Sequence, residues 1–188
     1  FYIGNYPDLE PDRIAWLSQS TVVANSASAA GGAIRGDAAG ARFVLDYSTI
    51  AGNAAPQTSG VHVVSGELLL HGTVVGEGTG GADCGQSGGN LTATRANLDT
   101  DGSCAALGGS SVSTVGSFEL AALQDQGGPT PVRLPLNSSP LIDLDPKCTL
   151  ASGAPLGLDQ RGLPRPSDDD GDGEPACDLG AVERAGVG

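Results

Sequence analysis

The sequence predicts an all-β fold, a parallel β-helix solenoid followed by an irregular, disulfide-stapled C-terminal segment. Three observations carry that expectation. A repeat of 24 to 28 residues runs through the first half, the recurring segments are short and β-branched, and four cysteines can staple loops that lack other support.

The repeat is read directly from the chain. LSQSTVVAN (Leu17 to Asn25) aligns with LDYSTIAGN (Leu45 to Asn53) at a spacing of 28, and with LLHGTVVGE (Leu69 to Glu77) at a spacing of 24. GGAI (Gly31 to Ile34) matches SGVH (Ser59 to His62), again 28 apart. Thr21 to Val23, Thr49 to Ile50 and Thr73 to Val75 are too short for an amphipathic helix and rich in side chains that favour strands. Phe43 to Leu45, Val61 to Val64 and Glu67 to Leu70 add strands bounded by Gly, Asn, Asp or Ser. Two or three short strands per repeat suit coils stacked about 4.8 Å apart, with apolar residues inside. Asn25 and Asn53 hold the same place in successive repeats, where a turn ladder of asparagines satisfies backbone groups.

FYIGN (Phe1 to Asn5) is similar to TIAGN (Thr49 to Asn53), so the chain is expected to open partway through a coil, as the C-terminal part of a longer solenoid. The lack of methionine reads as a mature or trimmed product. Residues 1–116 are assigned to β-helix coils and 117–188 to a capping segment packed on the last coils. Helix is expected only as one turn within Pro7 to Gln19 and a short helix over Ser117 to Gln126, capped by Ser117. The Gly, Ser and Thr-rich stretch from Gly78 to Gly116 reads as coils with long loops.

Composition narrows the class. Thirty glycines and 12 prolines beside 4% aromatics favour regular stacking of small residues over a compact globule. A net charge of -13 repels phosphate backbones and anionic lipid, which makes nucleic acid and membrane surfaces poor partners and favours divalent cations. No apolar run reaches the roughly 18 residues of a membrane span. Cys84, Cys104, Cys148 and Cys177 show no CxxC spacing, which argues against zinc or redox motifs. The sequence-local pairs Cys84 with Cys104 and Cys148 with Cys177 are favoured, each stabilising by about 3 to 4 kcal/mol on a chain-entropy argument. The alternative is four buried thiols in a reducing compartment.

SDDDGDGEPACD (Ser167 to Asp178) sets Asp168, Asp170 and Asp172 around a turn opened by Gly171 and Gly173. Hard oxygens in that pattern suit Ca²⁺. The twelfth position of an EF-hand loop counted from Asp168 is Leu179 rather than Glu, which argues against an EF-hand. Two readings stand: a structural calcium turn completed by Asp178 and a carbonyl near Glu174, or a solvated acidic loop. Arg161 and Arg165 are expected to form structural ion pairs among Asp159, Asp178 and Glu183. A lyase-type Arg base is the rival reading, but Arg13, Arg35 and Arg42 have no acidic cluster near them in sequence. His62 and His71 lack a third metal ligand and read as surface or turn residues, and no histidine matches Ser20 or Ser48 for a triad.

GGPTPVRLPLNSSPLIDLD (Gly127 to Asp145), Cys148, DQRGLPRP (Asp159 to Pro166) and CDLGAVE (Cys177 to Glu183) resemble the end of bacterial choice-of-anchor Q domain proteins. GGAI and STIAGN resemble coil motifs of the same group. The resemblance implies a right-handed parallel β-helix similar to polymorphic outer-membrane proteins and pectate-lyase-like solenoids, at the cell surface or outside the cell. It implies no enzymatic activity, since fold and function separate here. The expected function is a non-enzymatic structural, adhesive or surface-assembly element that meets other protein chains or extracellular glycans. The alternative is the C-terminal part of a carbohydrate-active β-helix enzyme such as a polysaccharide lyase.

Overall fold

The computed structural model of the protein describes residues 2–3, 14–169 and 171–184. The strands in chain order are β1 (Tyr2–Ile3), β2 (Ile14–Ser18), β3 (Thr21–Val23), β4 (Ile34–Asp46), β5 (Thr49–Ala51), β6 (Ala54–His71), β7 (Val74–Gly76), β8 (Thr79–Gln86), β9 (Asn90–Thr94), β10 (Asn97–Asp99) and, after helix α1 (Ser103–Gly108), β11 (Val112–Thr114). All pairings between these strands are parallel, and they build a β-solenoid of about three turns.

Three ladders run along the coil axis. Ala15, Phe43, Leu68 and Leu91 fall in one register, Ile34, Val61 and Cys84 in a second, and Val22, Ile50 and Val75 in a third. Phe43, Leu68, Leu91, Ile34, Val61, Cys84, Ile50 and Val75 belong to one buried apolar cluster, with Ala15 and Val22 packed against it. The next residue in the third row is Asp99, beside Val75. Its buried carboxylate accepts the amides of Cys104 (2.8 Å) and Ala105 (3.1 Å), so the chain turns into α1 there instead of continuing as a strand. Cys104, Ala105 and Leu107 then join the core beyond Cys84, and the Cys84–Cys104 disulfide fixes the helix.

The corner before the third ladder repeats with a fixed backbone signature. Gln19, Tyr47, Gly72 and Arg95 all adopt positive φ, between 44° and 62°. Just after it lies a polar row in which each coil's side chain accepts an amide from the coil before. Ser20 N donates to Ser48 Oγ (3.3 Å), Ser48 N to Thr73 Oγ1 (3.2 Å) and Thr73 N to Asn97 Oδ1 (2.9 Å), at separations of 28, 25 and 24 residues.

That row corrects the repeat alignment. Thr49 pairs with Val74, not Thr73, so the third coil sits one residue away from the expected spacing of 24. Thr and Val have nearly the same shape, and TVV alone does not say which residue faces the polar row. Ile34 likewise pairs with Val61, one residue short of the expected 28, although Ala30 and Thr58 still bridge at that spacing.

Other expectations also change. Tyr2 and Ile3 pair with Arg35 and Gly36, which places them beside the second ladder rather than with TIAGN in the third; the rest of FYIGN lies outside the described residues. Ile14–Ser18 is a strand where the end of a helical turn was expected, and residues 7–13 lie outside the described set. Residues 117–126 form no helix. Leu120 and Gln124 bridge antiparallel to Pro135 and Val132, because Phe118 and Leu120 extend across an apolar sheet face that a helix turn would leave open. The expected loops between 78 and 116 hold β8 to β11 and α1.

Candidate functional site

Strands β5, β7 and β10 are buried at every residue, so the third ladder needs cover on its outer face. Ala51, Val74 and Leu98 point outward there and meet Phe118, Leu120, Leu141 and Leu179. The segment after residue 116 therefore lies along the flank of the solenoid, while α1 covers the core after the last full coil. Polar contacts tie this flank to four coils in turn. Thr21 Oγ1 donates to Gln160 Oε1 (2.7 Å), Ala181 N to Thr49 Oγ1 (3.0 Å), Gly180 N to Gly72 O (2.9 Å) and Arg95 Nη2 to Thr149 Oγ1 (2.8 Å).

A buried charged network holds the flank to the corner of the second coil. Tyr47 is fully buried, its hydroxyl bonded to the Asp145 carboxylate, its ring under the Arg165 guanidinium at 5.4 Å. Arg165 donates to the carbonyls of Asp178 (3.1 Å) and Gly180 (2.8 Å), and its Nε lies 3.2 Å from Glu183 Oε2. The CDLGAVE stretch thus wraps around one arginine. The Cys148–Cys177 disulfide joins the same cluster through Tyr47 and Leu156.

The residues singled out in the sequence are distributed over this network. Asp159 pairs with Arg161 at 2.8 Å and also accepts the Glu183 amide at 3.0 Å. Asn25 donates its amide (3.0 Å) and its side chain (3.1 Å) to Asn53 Oδ1, and Asn53 Nδ2 donates on to Val22 O (2.9 Å). Asp168 accepts the amides of Gly171 (2.9 Å) and Gly173 (3.0 Å), and Asp172 accepts that of Glu174 (2.8 Å), which builds the acidic turn. Asp170 lies outside the described residues. Asp178 is not part of that turn's surface; it is fully buried, with Oδ1 taking the Asp143 amide (2.9 Å) and Oδ2 the Arg184 amide (2.7 Å).

The carboxylates that do converge are Asp169, Asp178 and Glu183. Each offers an oxygen within 4.8 Å of the others, and all three side chains are buried. Burial pushes all three pKa values up, Asp178 to about 6 and Glu183 to about 8, with Asp169 adding charge repulsion at Asp178 and Arg165 opposing the rise at Glu183. Asp169 was missed because the DxDxD spacing passes over it, and only the path of the chain shows that its side chain is buried among Asp178 and Glu183. His62 and His71, expected at the surface, are buried on β6: His62 contacts Thr58 (3.1 Å) and Ser87 (2.9 Å), and His71 contacts Thr94 (2.9 Å) and the Thr149 carbonyl (2.8 Å).

Fold and site together define a parallel β-helix protein whose flank is sealed by a disulfide-linked segment built on buried charge. No family model, curated protein or solved structure matches this chain. No helix among the described residues is long and apolar enough to cross a membrane.

Proposed function

We propose that this chain is a non-enzymatic structural element of an extracellular or cell-surface β-helix protein, of the choice-of-anchor Q kind, presenting its coils to other protein chains or to glycans. The observation that carries this reading is the sealing of its ionisable cluster. Asp169, Asp178, Glu183 and Arg165 are 3%, 0%, 2% and 5% exposed; Asp178, Glu183 and Arg165 bond to the backbone of the flank and Asp169 to the Ser167 hydroxyl. Groups held this way position chain and do not reach a polymeric substrate. Two disulfides in a 188-residue chain support an oxidising location.

Two measurements test the reading. Incubation of the chain with acidic polysaccharides in the presence of calcium is expected to release no unsaturated uronide ends; turnover that tracks the protein through purification would replace the proposal with a lyase. Protease shaving of intact source cells is expected to release peptides of this chain. Recovery of those peptides only after lysis refutes the location.

A further inference from the structure

We propose that Asp169, Asp178 and Glu183 together bind one Ca²⁺ ion beneath the acidic turn, a ligand set distinct from the DxDxD spacing of the sequence. The geometry begins with the convergence of one oxygen from each residue within 4.8 Å. A Ca²⁺ ion with bonds of about 2.3 to 2.6 Å spans oxygens up to about 5 Å apart, so it can meet all three. The separate observation that points to a ligand is Asp169 itself. It is 3% exposed, its Oδ1 takes the Ser167 hydroxyl (2.7 Å), and its Oδ2 is buried without a hydrogen-bond partner. A buried carboxylate oxygen left bare is costly unless a cation meets it.

The surroundings are already arranged for an ion. Ser167 N (2.9 Å) and Asp178 N (3.1 Å) orient the two oxygens of Glu183, while the amides of Asp143 and Arg184 orient those of Asp178. Glu183 Oε1 and both Asp178 oxygens keep a second lone pair, the arrangement in which outer hydrogen bonds fix metal ligands, while Glu183 Oε2 also faces Arg165 Nε. Charge balance agrees in sign. The Asp143 and Asp168 carboxylates add to the three converging ones, while the cations acting on them are Arg165, at Asp178 and Glu183, and Arg184, at Asp169, so negative charge is in excess for a divalent ion to offset. By joining residues 169, 178 and 183, the ion would clamp the acidic turn onto CDLGAVE and so fix the flank against the coils; this does not depend on the structural reading proposed above.

The test is a calcium titration of the whole disulfide-intact chain after chelation. Calorimetry is expected to show one Ca²⁺ per chain, and the melting temperature to rise by roughly 5 °C or more at a hundredfold excess over Kd. Asp169→Asn is expected to abolish both, while Asp168→Asn, in the surface turn, retains both. If Asp169→Asn does not fold, Glu183→Gln supplies the same comparison. Absence of calcium binding by the wild-type chain overturns the proposal whatever the variants do. So does undiminished binding by Asp169→Asn, or loss of binding in Asp168→Asn alone, which would move the ion to the turn.

Discussion

Replacing Thr73 by Val tests whether the polar row, and not the TVV repeat, sets the register of the third coil. Thr73 is fully buried; its Oγ1 accepts the Ser48 amide at 3.2 Å and donates to the Leu45 carbonyl at 2.9 Å. Valine keeps the shape and removes both bonds. A buried amide without its acceptor costs about 1 to 3 kcal/mol, and the lost hydroxyl donor about 1 more, so Thr73→Val should destabilise by about 2 to 4 kcal/mol. For a chain of this size that lowers the melting temperature by roughly 5 to 12 °C. Thr73→Ser keeps the hydroxyl, loses one methyl and should cost only about 1 kcal/mol. Urea unfolding followed by far-UV circular dichroism, with both disulfides intact, measures the difference. A valine variant as stable as the serine variant would refute the row as the register-setting device.

Two further outcomes follow from local geometry. Gly72→Ala should destabilise by roughly 2 to 4 kcal/mol, since the new methyl would lie 2.8 Å from ring carbons of Tyr47 at a φ of 60°, and that ring is held by Asp145 and Arg165. Gly102→Ala, in the left-handed region at φ 82° and ψ -1° with its nearest atom, Thr114 Oγ1, at an ordinary 3.5 Å from the added carbon, carries only the backbone strain of about 1 kcal/mol; equal melting temperatures for the two variants would remove the ring contact from the explanation. His62 is held below its ordinary 6.5, by burial first and by the Arg35 charge second, so the unfolded chain binds its proton at higher pH than the folded one. The stability this confers is fully present above about pH 6.5 and falls as pH drops from there toward the depressed folded value. Unfolding free energies between about pH 5 and 8 should lose part of that slope in His62→Gln, and an unchanged slope would assign the dependence elsewhere.

The solenoid was legible because its rules are periodic. Short β-branched runs, repeated at nearly constant spacing and separated by glycine or asparagine, determine strands, coils and the direction of stacking before any contact is known. What escaped was the one-residue offset at Thr73 and the positive φ of Gln19, Tyr47 and Arg95, residues whose side chains give no sign of that conformation. Helix α1 escaped for a related reason. SCAALG follows an aspartate that sits at an inward, otherwise apolar position, and only the register reveals that Asp99 faces the helix amides. The convergence of Asp169 with Asp178 and Glu183 depends on the path of a loop, which no spacing encodes. The sequence placed charge in that region without saying which carboxylates turn inward.

The flank raises a problem of position that apolar cover alone does not solve. Successive coils of a solenoid offer nearly equivalent outer faces, and Ala51, Val74 and Leu98 would accept a sliding apolar segment at more than one height. Polar contacts that exist in one coil only remove that degeneracy. Tyr47 occurs at the corner where the neighbouring coils carry Gln19 and Gly72, and Gly72 leaves room for its ring. The ring meets Arg165 and the hydroxyl meets Asp145, so among the described corners, Gln19, Tyr47, Gly72 and Arg95, the flank finds these partners at the second coil. A shift by one coil would strand Arg165 opposite a position without an aromatic ring and leave the Asp145 carboxylate without its phenol. Buried charge is a weak source of net stability, yet its cost when mispaired is high, and that asymmetry is what selects a single height for the flank.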